Sequence, residues 1–304
     1  MELSKGLIEI FGSENVRKDA PMREYTTFRV GGPADWLVSP AGPEQLKAGI
    51  RLCRELGVPV TVIGNGSNLL VSDEGIRGVV IRLCRCMETI ETVRMDDELV
   101  LKAGAGALLT AVARRTFELG YTGMEFAAGI PGTLGGAVYM NAGAYDGEMK
   151  NVILSAEVMD DDLEIFELSN AELELSYRHS AVMDKGWLVL SALLGTKKGD
   201  KKAILEKAED FQQRRHDKQP LEYPSAGSTF KRPEGYFAGK LIQDAGLKGF
   251  TVGGAQVSEK HAGFVINTGN ATAGDIKQLI EEVRERVYVS SGIMLEPEVR
   301  FLGF

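Results

Sequence analysis

Residues 126–144, FAAGIPGTLGGAVYMNAGA, form a run of nineteen residues with no charge and five glycines. Glycine has no Cβ and accepts positive φ, so such a run lets backbone N–H groups approach a ligand closely and places no fixed charge beside it. A large, partly anionic ligand suits it. Two plainer readings compete. A membrane span of this length is argued against by Pro131, Asn141 and the glycines, whereas a tightly packed glycine-rich turn stays open. A second segment, GNGSN at 64–68, follows an apolar run, 58–63. Small residues in a tight turn can aim successive N–H groups at an anion, with Ser67 and Asn68 adding side-chain donors, so phosphate is the natural guest and an empty hairpin turn the alternative. GxGxxG is not completed, because Leu69 and Leu109 stand where the third glycine would be needed, and no Walker lysine follows.

The elements around these segments predict an α+β protein. Apolar residues at helical spacing predict helices over 3–11, 43–56, 108–119, 201–215, 236–245 and 273–289. Strands are expected at 26–30, 35–38, 58–63, 79–82, 89–93, 98–104, 153–159, 163–168, 187–194 and 298–301. Helix 43–56 followed by strand 58–63 delivers the chain into GNGSN, and helix 108–119 leads into the glycine-rich run. Asp160-Asp161-Asp162 sits between two strand patterns and is expected to be a hairpin turn, not a metal site. A change of composition at Gln219-Pro220 marks a boundary before a C-terminal α/β domain.

Composition narrows the function. The chain has 304 residues, enough for two or three domains, and its 43 acidic against 35 basic residues give a net charge of −8. That balance argues against nucleic-acid or anionic-membrane partners. Cys53, Cys84 and Cys86 form no CxxC pair and have no nearby histidines, so neither a disulfide framework nor a zinc site is expected, and a reducing cytoplasm fits. The N-terminus lacks the basic and then apolar pattern of a signal peptide. Nothing in the chain points to an obligate protein partner.

Eight motifs in order carry a resemblance: TTFRVGG at 26–32, VIGNGSNLLV at 62–71, EFAAGIPGTLGGAVYMNAGAY at 125–145, SYRHS at 176–180, PSAGSTFKRP at 224–233, AGKLIQDAGLKG at 238–249, SEKHAGFVIN at 258–267 and LEPEVRFLG at 295–303. Together they closely resemble the UDP-N-acetylenolpyruvoylglucosamine reductase family, across nearly the whole chain. The resemblance implies a PCMH-type flavin fold, with FAD-binding subdomains at 1–85 and 86–200 and a substrate domain at 201–304. It implies reduction of UDP-N-acetylglucosamine enolpyruvate to UDP-N-acetylmuramate, with FAD as cofactor and NADPH as hydride donor, for bacterial peptidoglycan. Gly64, Asn65, Gly66, Ser67 and Asn68, with Ala128, Gly129, Ile130, Pro131, Gly132, Gly135, Gly136 and Asn141, are then the cofactor contacts. FAD is expected to be noncovalent, since His179, His216 and His261 all lie outside the two loops; Cys84 and Cys86 lie nearer.

The implied catalytic residues are Arg178, Ser228 and Glu298, each on its matching motif position. Ser228 matches the proton donor for C2. Arginine can grip the substrate carboxylate bidentately and stabilise the enolate forming there, and a glutamate can polarise that enolate or orient a relay water. Glu298 is preferred to Glu296 because the motif fixes the residue before Val-Arg. Lys231, Lys240 and His261 are candidate substrate contacts, and Arg232 stands where many family members have asparagine. Only 50 positions separate Arg178 from Ser228, which resembles the shorter branch of the family, without its inserted tyrosine loop.

Overall fold

The computed structural model describes residues 2–84 and 86–304. The chain forms two compact units, Met1–Val16, Val38–Asn65 and Ile81–Arg214 in the first, and Arg17–Leu37, Gly66–Val80 and Arg215–Phe304 in the second.

In the first unit, helix Leu3–Phe11 packs on helix Pro43–Glu55. Leu7 and Phe11 are buried, and a Cβ on Gly49 would lie 2.3 Å from the Phe11 ring, so only glycine lets the two helices close. Proline at the first turn starts the second helix, where its missing N–H has no helical partner to lose. The unit's sheet runs in the order Ile165–Ser169, Ile153–Met159, Leu188–Lys198, Glu98–Gly104, Ile90–Met95, all antiparallel neighbours, with Tyr121–Thr122 pairing the end of the long strand. The edge strand Ile90–Met95 is almost wholly exposed. Helix Leu109–Leu119 buries Val112, Ala113, Thr116 and Phe117 and ends at Gly120 with φ 82°. The acidic triplet is the expected hairpin turn: Asp160 Oδ1 accepts the Glu164 N–H at 2.9 Å.

In the second unit, Val16–Pro21, Pro33–Val38 and Ile76–Arg82 are neighbours, and Leu69–Val71 runs parallel to Arg300–Leu302. Strands Thr251–Val252, Ala255–Val257 and Val265–Asn267 form a meander that helix Ala273–Ser291 covers with Ile276, Leu279, Ile280, Val283 and Val287, all fully buried. Thr272 and Asp275 make a capping box, and the Asp73 carboxylate accepts the Ala273 and Gly274 N–H groups at 2.9 Å each.

The structure departs from the sequence pattern in places. Residues 26–30 are a turn, not a strand: the Thr26 hydroxyl donates to the Val30 carbonyl at 3.0 Å, and Arg29 sits at φ 56°. This turn buries both Phe28 and Val30, and local side-chain bonding overrides β propensity. Strand Val16–Pro21 has no strand pattern in the sequence, because its middle residues are polar and exposed. The final strand starts at Arg300, not 298, and the glycine-rich run contains a helix, Leu134–Tyr139.

Candidate active site

The second unit draws four distant motifs into one hydrogen-bonded strip. Residues 228–230 lie between two segments. On one side Ser228 bridges Phe264, the Thr229 N–H donates to the Gly263 carbonyl at 2.9 Å, and the Val265 N–H donates to the Thr229 hydroxyl at 3.0 Å. On the other, Phe230 bridges Pro297 and the Glu298 N–H donates to the Thr229 carbonyl at 2.8 Å. Asn68, the last residue of GNGSN, closes the strip: its Nδ2 donates to the Glu298 carbonyl and its own carbonyl accepts the Arg300 N–H, both at 2.9 Å. Thr229 is fully buried and Ser228 is exposed. Glu298 is half-buried. The backbone therefore holds Ser228 rigidly without using its hydroxyl.

Around this strip the expected substrate residues differ in setting. Lys231 forms an ion pair with Glu296, and Lys240 with Asp244 one helical turn on. The Arg232 guanidinium lies 4.0 Å from the centre of the exposed Phe237 ring. His261 accepts the Gly263 N–H at Nδ1, 3.1 Å away, and its ring meets Phe264 edge-on at 4.9 Å. Burial, helped by Lys248, pushes its pKa below the ordinary 6.5, despite the opposing influence of its backbone hydrogen bond. The unfolded chain then takes up the proton first as pH falls, so the stability due to neutral His261 is complete above 6.5 and is lost as pH drops through the folded value. His261→Gln should flatten that acidic limb in a plot of Tm against pH; an unchanged slope would reject this account.

Arg178 belongs to the first unit. Ser176 and His179 exchange backbone hydrogen bonds at 3.2 Å, and Arg178 occupies the third position of this tight turn at φ 55°, a conformation that costs a non-glycine residue about 1–2 kcal/mol. Its Nη2 donates to the Gly143 carbonyl at 3.3 Å.

Within the first unit, Gly64 and Asn65 meet the glycine-rich run. The Asn65 Nδ2 donates to the Pro131 carbonyl at 2.7 Å, and its Oδ1 faces the Cys84 thiol at 3.2 Å. A Cβ on Gly64 would lie 2.3 Å from Thr133 Oγ1. In the second unit, Gly66 has φ 64°, and a Cβ there would lie 2.0 Å from the Tyr25 carbonyl oxygen. Among the described residues, the N–H groups of Asn65, Gly66 and Ser67 donate to no backbone carbonyl, and Thr27 Oγ1 is buried without a partner beside the Thr27 N–H bond to the Gly66 carbonyl. Within the second unit, the free Gly66 and Ser67 amides and the unused Thr27 hydroxyl, with no carboxylate in GNGSN, form a donor set that fits a phosphate of FAD. The sequence gives Thr27 and Thr133 no signal beyond their place in two of the eight motifs, and Cys84 none beyond its nearness to the first loop.

Other expected cofactor residues have structural duties. Gly135 lets its helix lie against Ala105, 2.9 Å from where a Cβ would stand, and the Ala128 carbonyl accepts the Gln212 side chain at 3.3 Å. Asn141 is completely buried, with both its N–H groups taken up inside the protein.

An FAD-binding domain profile matches residues 34–169, a stretch that includes both loops, and with the fold it defines an FAD-dependent oxidoreductase. Residues 219–302 match the profile of the UDP-N-acetylenolpyruvoylglucosamine reductase C-terminal domain. Relatives of that name from Clostridium perfringens and Lachnoclostridium phytofermentans are each 52% identical, over 100% and 98% of this chain and 98% and 96% of theirs. The crystal structure of UDP-N-acetylenolpyruvylglucosamine reductase from Thermus caldophilus matches with a TM-score of 0.81 and 35% identity, over 94% of this chain and 99% of that one. This chain belongs to the UDP-N-acetylenolpyruvoylglucosamine reductase family, enzymes of peptidoglycan synthesis. Among the described residues no helix is long and apolar enough to cross a membrane.

Proposed function

We propose that the chain reduces UDP-N-acetylglucosamine enolpyruvate to UDP-N-acetylmuramate in the cytoplasm, with NADPH as electron source and noncovalent FAD, and with Arg178, Ser228 and Glu298 as its catalytic residues. In the proposed division, segments 1–85 and 86–200 hold FAD, and 201–304 receives the nucleotide sugar. The observation that carries the reading is the strip that ties Asn68 of the phosphate-type loop to Glu298 and to the residue after Ser228. Asn65, Gly66 and Ser67 would hold the pyrophosphate of FAD with main-chain N–H groups. FAD, once reduced by NADPH, would supply the hydride for C3 of the enolpyruvyl group.

The residues do the rest. Arg178 receives the substrate carboxylate, and its planar fork neutralises the charge that grows there as the enolate forms. Ser228 delivers the proton to C2. A serine hydroxyl is a weak acid, so the site must stabilise the oxygen left behind and return a proton, the duty assigned to Glu298 through a water. Lys231, Lys240 and His261 complete the substrate contacts.

The purified protein should be yellow. Acid precipitation should leave the flavin in the supernatant, and the bound flavin, once reduced by NADPH, should be reoxidised by the enolpyruvyl substrate without oxygen. A colourless protein that takes up no FAD, or flavin retained in the pellet, would refute the cofactor reading.

A further inference from the structure

Segment 139–143, the end of the glycine-rich run, meets turn 176–180 at three alternate residues. The Tyr139 carbonyl accepts the Ser180 hydroxyl at 2.7 Å, the Asn141 Nδ2 donates to the Ser176 carbonyl at 2.9 Å, and the Gly143 carbonyl accepts Arg178 Nη2 at 3.3 Å. The central contact is the most constrained. Asn141 is fully buried at φ 44°; its second N–H donates to Glu148 Oε2 at 3.0 Å, and its Oδ1 accepts the Lys150 N–H at 2.9 Å. Both donors of the amide are used and a third bond fixes which way it faces. Glu148 is itself held by its capping box with Asn151. The Ser176 carbonyl that Asn141 grips also closes the turn by accepting the His179 N–H.

The geometry points to Asn141 as the positioning residue for Arg178. It holds the carbonyl from which the strained turn departs, while Gly143, two residues on, holds the guanidinium. An amide spent in this way has no N–H left for a cofactor, so its side chain serves the arginine. A residue that presents a rigid fork to a developing charge is sensitive to its anchor, since misplacement by about 1 Å can cost around 10²-fold in rate. This inference rests on the catalytic reading of Arg178.

Two variants test it. Asn141→Gly tolerates the positive φ and removes only the side chain, and Asn141→Asp keeps the shape but presents oxygen to the Glu148 carboxylate and the Ser176 carbonyl. Both should bind FAD as tightly as wild type and be reduced by NADPH at the wild-type rate. Reoxidation by the enolpyruvyl substrate should slow by about 10- to 100-fold. Amide hydrogen exchange should quicken at His179, with the sheet strands unchanged. Arg178→Lys should lower kcat more than it raises KM, and adding either Asn141 variant should slow it little further, because the two residues act as one unit. Weakened FAD binding at a normal rate per bound flavin would overturn the proposal and make Asn141 a cofactor residue. Fully multiplicative losses in the double variant would also overturn it. Arg178→Lys with wild-type kcat would overturn the reading of Arg178 itself, and that measurement involves no Asn141 variant.

Discussion

In Ser228→Ala, NADPH bleaches the flavin at the wild-type rate, while reoxidation by UDP-N-acetylglucosamine enolpyruvate falls by about 10² to 10⁴, roughly 3–5 kcal/mol in barrier. This is the expected stopped-flow result, because only the second half-reaction needs a proton at C2. The structure makes the substitution a clean one. Ser228 is exposed, and its segment is held at both edges by backbone and Thr229 hydrogen bonds in which its hydroxyl has no part. Alanine therefore removes an acid without moving its neighbours. Ser228→Cys should recover part of the loss, since a thiol can also donate. If Ser228→Ala instead slows flavin reduction and spares reoxidation, the serine shapes the nicotinamide site, and Glu298 becomes the next candidate proton donor.

Gly66→Ala should strip the enzyme of flavin. At φ 64° an alanine already costs about 1–2 kcal/mol, and its Cβ would stand 2.0 Å from a backbone oxygen, that of Tyr25, which no rotamer change can move. The turn must open, and the N–H groups of Gly66 and Ser67 are displaced with it. We expect FAD affinity to fall by more than about 100-fold, read by fluorescence titration of the apoprotein; that loss is two steps of about 1.4 kcal/mol. Gly57→Ala is the control. Gly57 has φ 65° with nothing within 4 Å of where a Cβ would stand, so it carries the same strain without the clash and should keep its flavin. Wild-type FAD affinity in Gly66→Ala would show that this loop is only a turn.

Much of the local structure was legible in the sequence because its causes are local. Helix Leu3–Phe11 ends at Gly12, and Pro43 opens the next helix, as their apolar spacing and punctuation required. The two uncharged glycine loops stood out on residue type as candidates for an anion, with a plain turn as the alternative. The proposed catalytic residues were another matter. A serine after glycine between two prolines is ordinarily a turn residue, and only the ordered series of eight motifs gave Ser228, Arg178 and Glu298 their roles.

What the sequence by itself determined, then, was the family and nearly all the long elements, since periodicity, glycine and motif order survive without knowledge of partners. The tertiary structure alone decided the partners. Residues 26–30 have the composition of a strand, yet turn because Phe28 and Val30 are both drawn into the core. Asn141 has the appearance of a ligand donor within a glycine-rich loop, yet its amide is consumed by Glu148, Lys150 and Ser176, the last 35 residues away. Asn68, Thr229 and Glu298 form one strip although 230 residues separate the first from the last. A buried polar group must be paired, but which group pairs it depends on the path of the whole chain, and no local pattern encodes that choice.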